Sequence, residues 1–283
     1  MLVKKIDFSK YSSVKIGNIF EVEVLSGNFG FFDGVIIGGA NNILISPNPP
    51  KLGILDKEFD YIKFNEFGDE NLGEKISDSK ILSDKNLNGK ILEIGALTKS
   101  AKIYNFSKKF NLSGFEFLKG IPGTLGGLLT MNAGLLGHEI SKNLISVTTN
   151  LGEFKKDELN FSYRKSDIKG VIKSAKFKVL KGFDENLSLE ISKKRANQPR
   201  GNSFGSCFKN PVGLSAGKLI DECGLKGYKI GNCGFSQEHA NFLINYGGGT
   251  FDEVLSLINL AKKRVFENFG INLETEVVIL WKR

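Results

Sequence analysis

The stretch Gly114-Phe-Glu-Phe-Leu-Lys-Gly-Ile-Pro-Gly-Thr-Leu-Gly-Gly127 is the most informative part of the chain. Its glycines at positions 120, 123, 126 and 127 carry no Cβ, so the backbone N–H groups around them are left uncovered. A run of uncovered N–H groups is what the diphosphate of a nucleotide requires. A tight turn packed against small residues needs the same glycines, and the stretch taken alone favours that simpler interpretation.

A second glycine-rich turn lies upstream. Ile19–Leu25 is a candidate strand, and the apolar run Gly34–Gly38 leads into Gly38-Gly-Ala-Asn-Asn42 before a strand resumes at Ile43–Ile45. A strand that stops at such a turn and restarts exposes backbone N–H groups at its tip. No G-x-G-x-x-G motif follows a strand and no G-x-x-x-x-G-K-[ST] motif occurs, which excludes the Rossmann and P-loop folds.

The rest of the chain mixes helices and strands in an irregular order. Capping residues and apolar periodicity predict helices from Thr98 to about Asn111, at Leu187–Asn197, from Ser215 to Gly224, and at Thr250–Phe269 with a Thr250–Glu253 capping box and a stop at Gly270. Further strands are predicted at Ile91–Gly95, Ile172–Val179 and Leu273–Trp281, and a polar loop at Gly68–Lys90. This order is typical of the α+β class.

The composition narrows the class of protein. The 283 residues suggest about two domains or one large domain. The 39 basic residues against 31 acidic residues give a net charge of +8. The positive charge favours anionic partners, among them nucleic acid or a phosphorylated small molecule. The basic residues are dispersed, and the densest cluster, Lys193, Lys194, Arg195 and Arg200, is short. A nucleic-acid-binding protein therefore stays an alternative, which predicts a colourless protein with salt-dependent affinity for DNA or RNA.

The residues do not support a metal site, a disulfide framework, a signal peptide or a membrane-spanning segment. Cys207, Cys223 and Cys233 form no C-x-x-C pair, and with only two histidines a metal site is not expected. The N-terminal residues lack an apolar segment of signal-peptide length, and the uncharged window Gly120–Gly137 holds too many glycines to insert into a bilayer. We expect a soluble cytoplasmic protein without metal, and the cysteines at 207 and 223 as small core residues.

Five further segments, which follow in this order, favour the diphosphate-binding interpretation of the glycine-rich stretch over the simple turn. They are Tyr163-Arg-Lys-Ser166, Gly205-Ser-Cys-Phe-Lys-Asn-Pro211, Ala216-Gly-Lys-Leu-Ile-Asp-Glu-Cys-Gly-Leu-Lys-Gly227, Ser236-Gln-Glu-His-Ala-Asn-Phe-Leu-Ile-Asn245 and Leu273-Glu-Thr-Glu-Val277. With Gly120-Ile-Pro-Gly-Thr124 and Met131-Asn-Ala-Gly134 before them, they resemble the MurB family of UDP-N-acetylenolpyruvoylglucosamine reductases. The resemblance runs from about Gly17 to Ile279, nearly the whole chain.

The resemblance implies an α+β fold with two domains. A two-lobed FAD-binding domain of the PCMH or vanillyl-alcohol-oxidase type would occupy residues 1–180, with lobes at about 1–75 and 76–180. A smaller α+β substrate-binding domain would occupy residues 181–283. Only Lys181–Phe204 separates this domain's Gly-Ser motif from the preceding strand, so the chain looks like the shorter, type II form. We expect a monomer.

The resemblance also implies a reaction. NADPH would reduce bound FAD, and the enolpyruvyl group of UDP-N-acetylglucosamine-enolpyruvate would then be reduced to UDP-N-acetylmuramate for peptidoglycan synthesis. The UDP-sugar and NADPH would be the partners, with no nucleic acid and no membrane. A related FAD oxidase that uses O₂ is the enzymatic alternative. The segment Gly205–Pro211 and Glu276 argue against it.

The cofactor site implied by the resemblance combines both glycine-rich turns. Its residues are Gly38, Gly39, Ala40, Asn41, Asn42, Gly120, Ile121, Pro122, Gly123, Thr124, Gly126, Gly127, Asn132, Ala133 and Gly134. Ala40 and Asn41 depart from the family's usual Gly-Ser pair. Ala40 resists a strongly positive φ more than glycine would.

The catalytic residues implied by the resemblance also follow the chemistry. Hydride addition to the alkene leaves an enolate beside a carboxylate, so the site must supply a proton and stabilise negative charge. Ser206 is the proposed proton donor, and Arg164 and Glu276 the stabilising groups. A turn hydroxyl, a surface ion pair and an exposed strand residue are the structural alternatives. The expected substrate-binding residues are Tyr163, Lys209, Asn210, Lys226 and His239, of which His239 is equally compatible with a structural role.

Overall fold

The computed structural model describes residues 2–66, 90–196 and 198–282, so the predicted polar loop lies outside the described residues except at its last position. The chain forms two compact units, each built from separate stretches of sequence. The terminal unit comprises Met1–Glu23, Gly39–Gly53 and Ala196–Arg283, and the central unit comprises Val24–Gly38 and Ile54–Arg195. These units do not coincide with the predicted domains 1–180 and 181–283, and the FAD-binding and substrate-binding roles of those domains stay predictions.

The strands are short and follow one another irregularly. They are β1 (Leu2–Asp7), β2 (Ile19–Leu25), β3 (Val35–Ile36), β4 (Ile43–Ile45), β5 (Leu52–Leu55), β6 (Ile62–Glu66), β7 (Lys90–Gly95), β8 (Gly134–Leu135), β9 (His138–Glu139), β10 (Leu144–Thr149), β11 (Gly152–Lys155), β12 (Phe161–Ser162), β13 (Lys165–Ser166), β14 (Ile172–Lys178), β15 (Lys229–Ile230), β16 (Cys233–Phe235), β17 (Leu243–Asn245) and β18 (Val278–Leu280). One four-stranded sheet has the order β1-β2-β5-β3.

The helices are fewer and mostly brief. They are α1 (Phe8–Tyr11), α2 (Ser100–Lys109), α3 (Leu125–Thr130), α4 (Glu185–Arg195), α5 (Ala216–Glu222) and α6 (Phe251–Phe269), with single 3-10 turns at Lys57–Phe59, Glu116–Leu118 and Lys156–Glu158. The mixture confirms the predicted α+β class. None of the helices in the described ranges combines the length and apolar character that crossing a bilayer requires.

A five-stranded antiparallel sheet organises the central unit, in the order β11-β10-β14-β7-β6. The middle strand β14 confirms the predicted alternation, because Ala175 and Phe177 are fully buried while Lys178 is exposed. The ring of Phe177 packs edge-on against Phe115 at 5.3 Å between centroids. Phe115 is the second residue of the glycine-rich stretch, so the hydrophobic core anchors one end of the loop.

The 3-10 turn Glu116–Leu118 holds this end of the loop by a buried carboxylate. Glu116 is 1% exposed, and its carboxylate accepts hydrogen bonds from the N–H groups of Gly114 at 2.7 Å and Asp184 at 3.0 Å. Phe117 and Leu118 beside it are buried in the core. The carboxylate therefore joins the start of the glycine-rich stretch to the residue that precedes α4.

The other end of the loop is fixed by backbone pairing with the residues after β7. The N–H of Leu125 donates to Thr98 O at 2.9 Å, and the N–H of Ser100 donates to Gly123 O at 3.0 Å. The prediction that the helix after β7 begins at Thr98, with this residue as its cap, is wrong. Helix α2 begins at Ser100, and the Thr98 hydroxyl donates instead to the carbonyl of Tyr61 at 2.9 Å. Thr98 is fully buried, so its hydroxyl bonds to a residue distant in the sequence and does not cap the helix.

The long helix α6 in the terminal unit matches the sequence prediction. The Thr250 Oγ1 accepts from the N–H of Glu253 at 3.3 Å, the Glu253 carboxylate accepts from the N–H of Thr250 at 3.1 Å, and Gly270 ends the helix at φ +67°. The N-cap of α5 is also confirmed, since Ser215 Oγ accepts from Lys218 N at 3.4 Å. Both ends of these helices are set by local hydrogen bonds.

The core of the terminal unit gathers beneath α6. Strands β15-β16-β17 form one small sheet, and β18 runs parallel to β4. The predicted last strand is therefore shorter than expected, since only Val278–Leu280 pairs as a regular strand. Cys207 and Cys223 are buried in this core, as predicted.

Glu116→Ala is expected to lower the free energy of unfolding by about 2–3 kcal/mol, because two partly buried N–H groups would lose their acceptor. Glu116→Gln should retain part of this stability, since one amide oxygen remains. Denaturant unfolding followed by circular dichroism measures the change. The control is Glu190→Ala on the exposed side of α4, which should shift stability by less than about 0.5 kcal/mol. Equal stability of Glu116→Ala and Glu190→Ala would contradict the anchoring role.

Candidate active site

The glycine-rich loop in the central unit leaves backbone donors uncommitted. Gly120 has φ +72° and Gly123 has φ +125°, conformations that side chains rarely adopt. A Cβ built on Gly123 would meet no described atom within 4 Å. Within the described ranges, the N–H groups of Gly123, Thr124 and Gly127 make no hydrogen bond to the protein. Three free N–H groups on one loop, with open space beside Gly123, suit an anion.

Gly38 lies against this loop. A Cβ at Gly38 would sit 2.6 Å from Thr124 Oγ1, closer than any real contact allows. Only glycine permits this approach, so the first residue of the upstream turn is brought together with the glycine-rich loop. Both residues belong to the central unit.

Asn132, one turn beyond the loop, has a forced amide orientation. Its Nδ2 donates to the Glu139 carboxylate at 2.9 Å and to the carbonyl of Ser162 at 3.2 Å. Both partners can only accept, so the two donors of the amide face them and Oδ1 must face the other way. Asn132 is fully buried, and Oδ1 finds no partner in the described part of the chain.

A buried acceptor without a donor costs about 1–3 kcal/mol and calls for a ligand or water. The position of Asn132, after a loop with free N–H groups, fits a dinucleotide cofactor whose N–H or O–H groups can donate. Asn132 also holds φ +41°, a left-handed conformation that asparagine tolerates better than most residues. The residues present therefore fit FAD.

Arg164 is held near the same segment. It lies with Tyr163 in the two-residue turn between β12 and β13, and its Nη2 donates to Gly134 O at 3.1 Å. The guanidinium carbon lies 4.8 Å from the centroid of the Tyr163 ring, which is 47% exposed. Since Asn132 binds the carbonyl of Ser162, just before this turn, the structure brings the predicted catalytic arginine together with the predicted cofactor segment.

The upstream turn continues into the terminal unit. Ala40 adopts φ +47° and is buried, so the methyl group does not prevent a left-handed conformation here. The N–H of Ser13 donates to Ala40 O at 3.2 Å, and its hydroxyl donates to Asn41 O at 3.2 Å. Asn42 Nδ2 donates to the carbonyl of Glu276 at 2.8 Å. The turn is thus joined to the predicted catalytic glutamate.

Ser206 and Glu276 lie on neighbouring extended segments of the terminal unit. Phe208 pairs with Thr275, and the N–H of Glu276 donates to Cys207 O at 2.9 Å. Ser206 pairs on its other side with Phe242 and is half-buried. The described residues provide its hydroxyl with no hydrogen-bond partner.

Asn241, which the sequence analysis did not single out, holds the Ser206 segment in place. Its carbonyl accepts from Cys207 N at 2.7 Å, its Oδ1 accepts from Phe208 N at 2.9 Å, and its Nδ2 donates to Phe208 O at 2.8 Å. Asn241 is 3% exposed, so these bonds are shielded from water. Glu139 was missed in the same way, because a residue that orients another side chain leaves no local pattern in the sequence.

The predicted substrate-binding residues of the terminal unit already have protein partners. Lys209 Nζ lies 2.5 Å from Glu274 Oε1, and Lys226 Nζ lies 3.1 Å from Asp221 Oδ2. Asn210 Oδ1 accepts from the N–H of Ala216 at 3.0 Å and so helps to begin α5. Their substrate contacts stay predictions.

His239 combines a structural contact with a titratable group. Its Nδ1 accepts from the N–H of Asn241 at 3.2 Å, so the neutral ring carries its proton on Nε2. Its ring centroid lies 5.0 Å from that of Phe242. Burial lowers the pKa of His239 below 6.5, and the charge of Lys226 lowers it further.

Comparison with known proteins agrees with this geometry. Residues 197–280 match the C-terminal domain of UDP-N-acetylenolpyruvoylglucosamine reductase, MurB_C. The chain is 49% identical to the "UDP-N-acetylenolpyruvoylglucosamine reductase" of Campylobacter jejuni strain RM1221, over 97% of this chain and 99% of the relative. It is 42% identical to the protein of the same name from Helicobacter pylori strain 26695, over 99% and 100% of the two chains. The crystal structure of MurB from Thermus caldophilus aligns over 100% of both chains, with TM-score 0.79 and 28% identity.

An α+β fold with this glycine loop and this full-length likeness defines the class of FAD-dependent oxidoreductases. The chain belongs to the UDP-N-acetylenolpyruvoylglucosamine reductase (MurB) family, which confirms the resemblance seen in the sequence.

The lowered pKa of His239 predicts a pH dependence of stability. The folded state favours the neutral ring, so this contribution is present above pH ~6.5 and is lost as pH falls below that value toward the folded pKa. Wild-type protein should lose thermal stability between pH 7.5 and 5.5, and His239→Gln should lose less. His138→Gln, which changes the other histidine, is the control and should behave like wild type. An unchanged pH profile in His239→Gln would contradict this assignment.

Proposed function

We propose that this chain is an FAD-dependent reductase that converts UDP-N-acetylglucosamine-enolpyruvate to UDP-N-acetylmuramate, with NADPH as the hydride donor, in peptidoglycan precursor synthesis. The observation that carries the proposal is the link through Asn132, which ties a loop with free N–H groups to the arginine hairpin within one unit. The names of the full-length relatives support the substrate. A soluble nucleotide sugar as substrate implies the cytoplasm as the compartment.

The cofactor would be held mainly by backbone groups. The N–H groups of Gly123, Thr124 and Gly127 suit the diphosphate, and the buried Oδ1 of Asn132 suits an N–H or O–H donor of the flavin or its ribityl chain. Bound FAD would carry hydride from NADPH to the alkene carbon of the substrate. The remaining cofactor residues proposed from the sequence are Gly38, Gly39, Ala40, Asn41, Asn42, Gly120, Ile121, Pro122, Gly126, Ala133 and Gly134.

The second half of the reaction needs a proton and a counter-charge. Ser206 is suited to donate the proton to the carbon that bears the carboxylate, because its hydroxyl is committed to no described residue. Arg164 would stabilise the enolate through its permanent positive charge, and its contact with Gly134 O limits the movement of its side chain. Glu276 would serve the same enolic group in its protonated form.

The substrate's diphosphate and sugar would be bound by residues that exchange partners. Lys209 has a side chain only 19% exposed, whereas its partner Glu274 is 73% exposed. Glu274 can therefore turn into solvent while the ammonium group stays in place for an anion. Lys226 has a more exposed ion pair, and Tyr163, Asn210 and His239 would add neutral contacts.

Gly123→Val is expected to reduce the FAD content of the purified protein sharply, because a branched side chain would enter the space beside the free N–H groups. Gly152→Val is the matched control. Gly152 has φ +132° against +125° for Gly123, and a Cβ there also meets no described atom within 4 Å. The backbone strain is therefore similar in both variants. The absorbance ratio of flavin to protein measures the loss, and a fully yellow Gly123→Val protein would remove the loop from the cofactor site.

Ser206→Ala tests the reaction itself. Reduction of the flavin by NADPH requires no proton at a substrate carbon, so its stopped-flow rate should stay near the wild-type value. Reoxidation by the enolpyruvyl substrate should slow by ~10²-fold or more, the usual contribution of a positioned acid. The first half-reaction serves as the internal control. If the variant loses flavin reduction by NADPH but keeps reoxidation by the substrate, the assignment of Ser206 to the second half-reaction is wrong.

A further inference from the structure

Arg195, the last residue of α4, lies against the glycine-rich loop. A Cβ built on Gly120 would be 3.3 Å from Arg195 Nε and 3.7 Å from its Cδ, so the arginine side chain lies close to the loop at this glycine. Both residues belong to the central unit. In the sequence, Arg195 belongs to the short basic cluster with Lys193, Lys194 and Arg200.

The surroundings of this cation differ from those of its neighbours. Arg195 is partly buried, whereas Lys193 and Lys194 on the same last turn of α4 are exposed. Across the ranges that the structure describes, Arg195 has no carboxylate partner and makes no hydrogen bond. Burial alone accounts for the lowered pKa of its guanidinium.

A partly desolvated cation without a partner is unfavourable unless something compensates for it. The negative end of the α4 dipole provides some compensation, but it acts equally on the two exposed lysines. Since only the arginine of these three residues is partly buried, the dipole does not explain its burial, and a bound anion would. The free N–H groups of Gly123, Thr124 and Gly127 on the same loop favour the same kind of ligand.

We propose that Arg195 binds the diphosphate of a nucleotide beside the Gly120–Gly127 loop. The planar guanidinium can donate two parallel hydrogen bonds to phosphate oxygens, which the backbone N–H groups of the loop complement. The proposal rests on the proposed function and deepens it, because it adds a charged residue to a loop otherwise composed of backbone donors. FAD, NADPH and the UDP-sugar all carry a diphosphate, so the experiment must separate them.

The test compares Arg195→Gln, Arg195→Lys and the control Lys194→Gln in the full-length protein. Lys194→Gln removes the same charge from the same helix turn at an exposed position. FAD and riboflavin, which lacks phosphate, are titrated into the apoprotein by flavin fluorescence. NADPH and UDP are titrated into protein saturated with FAD. Thermal unfolding of each apoprotein reports on structural damage.

We expect Arg195→Gln to weaken the affinity for one diphosphate ligand by about ten- to a hundredfold, the loss expected for charge-assisted hydrogen bonds to phosphate. Arg195→Lys should recover part of this affinity, and Lys194→Gln should stay within about twofold of wild type. Riboflavin affinity and the unfolding midpoint of the apoprotein should not fall. The ligand whose affinity falls is the one whose diphosphate the arginine binds.

The proposal is overturned if Arg195→Gln binds FAD, NADPH and UDP as wild type does. It is also overturned if the affinities for riboflavin and FAD fall equally while the unfolding temperature of the apoprotein drops, because the arginine would then have a structural role. Failure of the wild-type protein to bind FAD at all would contradict the proposed function instead, so the two failures are distinct.

Discussion

The buried amide of Asn132 connects the parts of the central unit that the proposed chemistry needs. Its two N–H donors reach the Glu139 carboxylate and the carbonyl of Ser162, so one side chain joins the exit of the glycine-rich loop to the hairpin that carries Arg164. Without this cross-link the loop and the hairpin would be held together only by bonds such as that from Arg164 to Gly134 O. The same constraint leaves the amide oxygen buried and available, which makes Asn132 both a structural brace and an acceptor for a ligand.

Buried asparagines perform similar work in the terminal unit. Asn245 donates to the carbonyls of Val14 and Lys15 at 2.9 and 3.1 Å and accepts from Gly247 and Gly249 at 2.9 and 3.0 Å. Asn241 pairs with both backbone groups of Phe208 in the same manner. An amide side chain offers a donor and an acceptor like the peptide group itself, so it can replace ladder pairing where the strands are short. The short strands of this unit depend on such replacements.

Several polar groups of the central unit that have no partner among the described residues belong to the glycine-rich loop or lie close to it. They are the amide oxygen of Asn132, three backbone N–H groups and the guanidinium of Arg195. The buried carboxylate of Glu116, by contrast, accepts two hydrogen bonds from backbone N–H groups. Donors, an acceptor and a cation together match a molecule that carries negative charge and hydrogen-bonding groups of both kinds. A flavin dinucleotide is such a molecule.

Helix ends and strand positions could be read from the sequence where local bonds decide them. The Thr250–Glu253 capping box, the Ser215 cap and the strand Ile19–Leu25 needed no partner distant in the chain to be recognised. Family motifs likewise indicate Arg164, Ser206 and Glu276 as catalytic residues, and these roles stay predictions. Tertiary structure alone decided that the Thr98 hydroxyl binds Tyr61 O, that Glu139 orients Asn132, and that Arg195 lies close to Gly120. Each of these contacts joins residues through folding of the backbone in between, and no periodicity or spacing records which side chains that folding brings together.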